Sequence, residues 1–293
     1  MLNRRDILKA TTSLTLLSMT PKAAFAAAQI NQPVARIVNA SDRRFGLTLP
    51  DPYRWMENPD DPDWEPFVRG QAAYARAQLD ANPVRDAVAR RVAELSGEFA
   101  LPYKVQHAGG KMFVERRPAG ANNYKLYVRD KLGAKLRLLY DPSLETDASG
   151  APRSLDYWVV SPDGRHVAFG SSLAGSEDSV LRVLSSSDGS LLADALDRAQ
   201  YARLSWLSDS TGFFISRLQK GAVRGASDYY HNSTIWLHQL GTDPNSDLRI
   251  GGGGDVIDGY RINAAEFPAV ITGPNSKWAL LQSSGAVRRH NPV

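Results

Sequence analysis

A mainly β chain, folding as part of a β-propeller behind a two-helix N-terminal segment, is what three observations in the sequence predict. The first is the stretch at residues 157–170, YWVVSPDGRHVAFG, which sets apolar strand residues on either side of a Ser-Pro-Asp-Gly turn. Pro162 presets φ for a turn, Asp163 can bond its own backbone, and Gly164 supplies the positive φ that a tight reversal needs. The second is recurrence: residues 204–212 run through a polar turn into Phe213, Phe214, Ile215 and Ser216, and residues 273–276 run into Lys277, Trp278, Ala279, Leu280 and Leu281. Hairpins repeated at about fifty to sixty-five residues, with further strand pairs between them, have the spacing of four-stranded blades. The third is a change of period, helical before Tyr103 and alternating after it.

Taken in order, the chain opens with Asn3, Arg4, Arg5, Asp6 and Lys9 ahead of a mildly apolar run over residues 10–19, then Pro21 and the small-residue pattern Ala24-Phe25-Ala26. This is the layout of an export signal of the twin-arginine type (Arg4, Arg5), with cleavage after Ala26. The apolar run is shorter than the roughly 20 residues a bilayer span requires, so no permanent membrane anchor is expected. Residues 27–97 then form an N-terminal segment. It begins with a Gln/Asn/Pro linker and the proline-rich run Asp51-Pro52-Tyr53-Arg54-Trp55-Met56-Glu57. Asp63 sits where a helix N-cap belongs, and Trp64, Phe67, Val68, Ala72, Ala75 and Leu79 share one helical face, predicting a helix from about 63 to 79. Pro83 reopens a second helix, with Val84, Val88, Val92 and Leu95 as its stripe, ending at Ser96-Gly97.

From Tyr103 the strands read Lys104–His107, Lys111–Glu115 and Tyr124–Val128, separated by Gly109-Gly110 and Asn122-Asn123. Residues 181–184 and 235–240 supply others, with a Ser-Asp-Gly turn at 187–189. Residues 98–283 therefore hold roughly three to four four-stranded blades, fewer than most closed propellers contain. The tail, 284–293, has no blade patterning.

Composition narrows the function classes. The chain has 293 residues, 43% of them hydrophobic, enough to build a core. With no cysteine there is no disulfide framework, thiol nucleophile or thiolate metal site. The net charge of +4 sits largely in the export signal, because removing residues 1–26 takes away Arg4, Arg5, Lys9 and Lys22 against Asp6 alone. A nearly neutral mature chain gives no support for nucleic-acid binding.

The run Asp51, Pro52, Tyr53, Arg54, Trp55, Glu57 closely resembles the Asp-Pro-Tyr-Arg-Trp-Leu-Glu signature near the start of prolyl oligopeptidases. Residues 161–170 with Gly175-Ser176-Glu177-Asp178 resemble that family's first well-marked blade, and Tyr230-His231, residues 237–243 and Glu266-Phe267-Pro268 resemble the segment that follows. The resemblance covers about residues 35–283. It implies a seven-bladed propeller over an α/β-hydrolase domain, in a serine endopeptidase that cleaves short peptides after proline. The family's serine, aspartate and histidine lie in a hydrolase domain beyond the propeller, whereas this sequence stops inside the propeller. No G-x-S-x-G elbow occurs, and the nearest run, Gly170-Ser171-Ser172-Leu173-Ala174, lacks the second glycine. No catalytic residue is therefore assigned to this chain, and the expectation is the N-terminal part of an exported, periplasmic prolyl-oligopeptidase-like enzyme, inactive alone. Short proline-containing peptides and a separately encoded hydrolase part are its expected partners. The rival from another class is a non-catalytic periplasmic propeller that binds a peptide or protein.

Other clusters have plainer readings, and neither metal nor cofactor is expected. His231 and His238, seven residues apart with Asp228 nearby, do not have compact metal-ligand spacing and read as ordinary strand and loop histidines. Asp60, Asp61 and Asp63 lack the glycine-containing loop of an EF-hand. Gly251 to Gly254 are followed by Val256-Ile257, not by a helix, and read as a flexible inter-blade loop rather than a phosphate cradle. The aromatics Tyr157, Trp158, Trp206, Phe213, Phe214, Trp236 and Trp278 read as packing between blades.

Overall fold

The computed structural model of the chain describes residues 30–97, 99–273 and 276–285. The export signal expected at residues 1–26, with Arg4, Arg5 and the cleavage expected after Ala26, lies outside the described residues, as does most of the tail. The chain divides into two compact units, one ending at Arg91 and the other beginning at Val92.

In the first unit, a hairpin of β1 (Ser41–Arg44) and β2 (Leu47–Pro50) turns at Phe45 and Gly46, whose φ values are 53° and 79°. Two successive positive φ angles are what a two-residue primed turn requires. The sequence reading placed linker here, because the strands are four residues each and largely exposed. Helix α1 (Trp64–Asp80) follows, and the carbonyl of Asp63 accepts from Phe67 N at 3.0 Å. The Asp63 side chain makes no capping hydrogen bond, contrary to expectation; its carboxylate faces the Arg36 guanidinium at 2.8 Å instead. An ion pair with Arg36, in the irregular strap of residues 30–40 ahead of β1, outcompetes the cap. The half-buried face of α1 runs through Trp64, Phe67, Gly70, Gln71 and Tyr74, rotated from the predicted stripe. The reason is that strap: Gln71 Nε2 donates to the Pro33 carbonyl at 2.8 Å, and a Cβ on Gly70 would stand 2.7 Å from the Pro33 ring. Val68 and Leu79 remain exposed.

Helix α2 (Arg85–Gly97) begins where Asn82 accepts from Val84 N at 3.1 Å. Its apolar stripe of Val84, Val88, Val92 and Leu95 is exposed along its length. No helix among the described residues is long and apolar enough to cross a membrane.

The second unit is built of four-stranded antiparallel sheets in sequential order. Blade one is β3 (Leu101–Ala108), β4 (Lys111–Arg117), β5 (Lys125–Arg129) and β6 (Arg137–Tyr140). Blade two is β7 (Arg153–Val160), β8 (His166–Leu173), β9 (Val180–Ser185) and β10 (Leu191–Leu196). Blade three is β11 (Leu204–Trp206), β12 (Gly212–Arg217), β13 (Thr234–Gln239) and β14 (Leu248–Gly252). A small hairpin, β15 (Val256–Ile257) with β16 (Tyr260–Arg261), leads to a further pair, β17 (Phe267–Thr272) with β18 (Ala279–Ser284). Three complete blades and a two-stranded start of a fourth fulfil the propeller expectation.

Period-two alternation explains why blade two carries the core. Val167 and Phe169 of β8 face blade one with Phe113, Leu126, Val128 and Trp158, while Ala168 faces blade three with Leu181, Trp206, Phe213 and Ile215. A strand covered on both faces needs apolar residues at odd and even positions alike. The blades are also bolted by polar contacts. Trp158 Nε1 donates to Glu115 Oε2 at 2.7 Å, and Lys104 Nζ donates to the Trp158 carbonyl at 2.5 Å from above the indole ring. Burial pushes the Glu115 carboxyl up and the Lys104 ammonium down. The Ser-Pro-Asp-Gly turn is formed as predicted: Gly164 adopts φ 68° and Arg165 N donates to Asp163 Oδ1 at 2.9 Å. It has a second reason to be glycine, since a Cβ there would stand 2.5 Å from the Ala108 carbonyl of the neighbouring blade.

Candidate functional site

Arg54 is the centre of the Asp51 to Glu57 run. Its guanidinium meets Asp51 at 2.5 Å, Asp42 of β1 at 2.7 Å and Glu57 at 3.7 Å. Hydrogen bonding to Asp42 and then Asp51 raises its already high pKa further, and the same bond holds Asp42 below the ordinary carboxylate value. Trp55 is buried, donates from Nε1 to the Arg36 carbonyl at 2.9 Å, and meets Phe67 edge-on at 5.5 Å. Pro52 closes the run onto the strap through its carbonyl, which accepts from Val38 N at 3.0 Å, while Tyr53 is exposed. The motif thus ties hairpin, strap and α1 together and offers no reactive group.

The serines nearest to an elbow are equally structural. Ser171 and Ser172 are fully buried on β8; Ser171 Oγ accepts from Arg182 at 2.9 Å and Ser172 Oγ donates to Asp156 at 3.0 Å. Among the described residues, no histidine ring is hydrogen-bonded to a serine hydroxyl.

His238 is the residue whose role the sequence reading missed. Its ring is fully buried, with Nδ1 2.7 Å from Asp247 Oδ1 and Nε2 2.9 Å from Asp194 Oδ1. Asp194 belongs to β10 of blade two and His238 to β13 of blade three, so the ring joins neighbouring blades. Asp194 also accepts from Gly241 N at 2.7 Å, and Arg217 stands 3.8 Å from Asp247 while pairing with Asp197. Carboxylates at both nitrogens require two N–H donors, so either the ring is an imidazolium or one carboxyl keeps its proton. Burial pushes Asp247 above the ordinary carboxylate value, against the pull of His238 and Arg217. No sequence signal marks this centre, since Asp194 lies 44 positions away.

His231 is not part of it: it sits in the turn ahead of β13, where its backbone N–H donates to the Asp228 carbonyl at 2.8 Å. Among the described residues no group of three potential ligands could hold a metal ion. Asp61 and Asp63 are taken up by Arg36. Only half of the glycine run forms the loop expected: Gly253 and Gly254 turn, whereas Gly251 and Gly252 are buried residues of β14. A Cβ on Gly252 or Gly253 would meet Ser233 O or Asn232 Cα at 2.8 Å, so close strand approach is what demands glycine here. Trp158, Trp206 and Phe213 pack between blades as expected, but Trp278 precedes β18 and is 76% exposed.

A cavity of about 390 Å³ opens beside the blade-two and blade-three loops, lined by Asp178, Arg198, Gln200, Leu218, Arg224 and Tyr229 among others. Gln200 is buried and its Oε1 has no hydrogen-bond partner. A free carboxamide in a cavity offers a donor and an acceptor in one plane, the complement of a peptide group.

The family model for the prolyl oligopeptidase N-terminal β-propeller domain matches residues 32–253. The chain is 25% identical over 229 residues to a prolyl endopeptidase of Elizabethkingia meningoseptica, covering 76% of this chain and 31% of that protein. It is 26% identical to prolyl oligopeptidase A of Amanita bisporigera, covering 72% and 30% respectively. It therefore spans about a third of the length of these curated relatives. A solved prolyl endopeptidase, 27% identical, superposes with a TM-score of 0.74 over 86% of this chain and 36% of that one. Prolyl oligopeptidase B of Galerina marginata, solved with a 35mer hydrolysis and macrocyclization substrate, has the same fold at 20% identity, with a TM-score of 0.72 over 88% and 38%.

Proposed function

The chain belongs to the prolyl oligopeptidase family, and from that premise we propose that it is the N-terminal, propeller-bearing part of an exported serine endopeptidase that cleaves short peptides after proline, inactive by itself. The observation that carries this reading is the family match over residues 32–253, well over half of the chain. Acyl transfer to a serine activated by histidine and oriented by aspartate is the chemistry such an enzyme performs, in a domain additional to the residues described. The propeller's part is to restrict entry so that short peptides, and not folded proteins, reach the nucleophile. The cavity at Gln200 is a suitable place for a peptide backbone to touch the propeller on its way.

Export through a twin-arginine signal to the periplasm belongs to the same proposal, on the strength of Arg4, Arg5 and the small residues before the cleavage site at Ala26. A free-standing binding module fits less well. Leu101, Tyr103 and Val105 of β3 and Leu280 of β18 expose apolar surface at the two ends of the blade series, and uncovered sheet edges invite aggregation. Reading the DNA beyond the codon for Val293, in all three frames, tests the proposal. A G-x-S-x-G elbow followed by aspartate and histidine supports one enzyme in two stretches of sequence. If no hydrolase is encoded there or in a co-purifying protein, the proposal fails.

A further inference from the structure

A second cavity, of about 370 Å³, is lined by Arg198, Arg217, Gln219, Lys220, Thr234, Trp236, Pro244, Asn245 and Arg249. Every ionisable side chain in that lining is a cation, although Arg198, Arg217 and Arg249 are each paired with an aspartate behind the wall. The acids that balance the arginines do so from elsewhere. Asp197 bridges Arg198 and Arg217, Asp255 meets Arg249 at 2.7 Å, and Asp247 approaches Arg217 at 3.8 Å while shared with His238. Among the described residues Lys220 makes no ion pair. Arg217 is itself buried, so one of the charges lies in the wall of the cavity rather than in bulk water. The indole Nε1 of Trp236, on the same wall, is a buried donor with no acceptor. A concave site rich in N–H donors and cations, with one donor unsatisfied, is complementary to an oxyanion.

We propose that this cavity, on blade three beside the loop that enters it from blade two, is a binding site for a single oxyanion group, either a phosphate or the terminal carboxylate of a peptide. Arg198, Lys220 and Arg249 supply the charge, and the unpaired indole N–H of Trp236 is the neutral donor of the same wall. Arg249 already engages Asp255 through Nη2 at 2.7 Å, so it reaches an added anion through one of its other N–H groups, as a single contact. The site uses neither Gln200 nor any residue of the Asp51 to Glu57 run, and it shares Arg198 with the wall of the Gln200 cavity.

The test titrates the full 293-residue chain with inorganic phosphate, and separately with acetyl-Gly-Pro as free acid and as amide, by calorimetry at constant ionic strength. Trp236→Phe is run alongside as the optical control for a fluorescence change on binding. Lys220 and Arg249 are exposed, so K220M/R249M keeps the fold, which circular dichroism verifies. The expected result is saturable one-site binding that weakens at least about tenfold in the double variant, the loss of two charge-assisted contacts. Binding of phosphate alone assigns the site to phosphate, and binding of the acid but not the amide assigns it to a peptide terminus. No saturable binding of either anion overturns the proposal. So does equal affinity in the double variant, or equal suppression by chloride, which would mean diffuse screening rather than a site.

Discussion

Replacing His238 by leucine removes the partner of two carboxylates at once, and both side chains are fully buried. Asp194 keeps one hydrogen bond, from Gly241 N at 2.7 Å, and Asp247 keeps Arg217 at 3.8 Å, beyond hydrogen-bonding range. Neither remnant replaces an imidazole bridging the two at 2.7 and 2.9 Å. Removing the partner of a buried carboxylate costs about 3–5 kcal/mol, because the stranded group is neither hydrated nor compensated. Urea denaturation of the full chain at neutral pH should show that loss at an unchanged m-value. In thermal unfolding it corresponds to a fall of about 6–20 °C at 2–4 °C per kcal/mol for a unit of this size. Asp194→Asn in the His238→Leu background should recover part of the loss, since an amide tolerates burial better than an unpaired carboxylate. A cost below about 1 kcal/mol, or strictly additive effects of the two changes, would refute the reasoning that a buried charged bridge holds blades two and three together.

Three further outcomes are expected. Phe169→Ala empties a fully buried site between blades one and two and should cost about 3–5 kcal/mol in the same denaturation assay. Gly164→Ala forces a side chain into φ 68° and to 2.5 Å from the Ala108 carbonyl, and should lower stability by more than about 1 kcal/mol. Asp141 is pushed up by burial but held net below its ordinary 3.8 by the Lys125 ammonium and by the hydroxyl and N–H of Ser143. A depressed folded value gives stability that is complete above the unfolded value and lost as pH falls through the folded one. The advantage of wild type over Asp141→Asn should therefore hold at neutral pH and shrink below about pH 3.8; urea midpoints at a series of pH values measure it.

Turn chemistry is the part of the fold most legible in the sequence, because Ser161 to Gly164 encode their reversal locally and the two later hairpins repeat the plan. Helix positions were also readable, to within a residue or two. What was not readable depended on distant partners. Asp63 has the sequence position of a cap, but Arg36 takes its carboxylate. The α1 face is set by a strap at Pro33 that no periodicity reveals. His238 looked like an ordinary strand histidine because alternation reports that a position faces inward, not that two carboxylates wait there. The glycine run reads as a loop by composition, whereas its first half, Gly251 and Gly252, closes β14, and backbone approach from Asn232 and Ser233 is what excludes side chains at Gly252 and Gly253. The candidate cavity at Gln200 was likewise invisible, being assembled from loops that are separate in sequence.

The central claim is that this chain supplies the propeller of a post-proline peptidase and not its nucleophile. A fluorophosphonate probe, which captures activated serines covalently, tests it most directly when applied to the purified 293-residue chain alongside a fluorogenic Gly-Pro amide substrate. The account predicts neither labelling nor release of the fluorophore. Stoichiometric labelling of one serine, with cleavage after proline that the label abolishes, would contradict it.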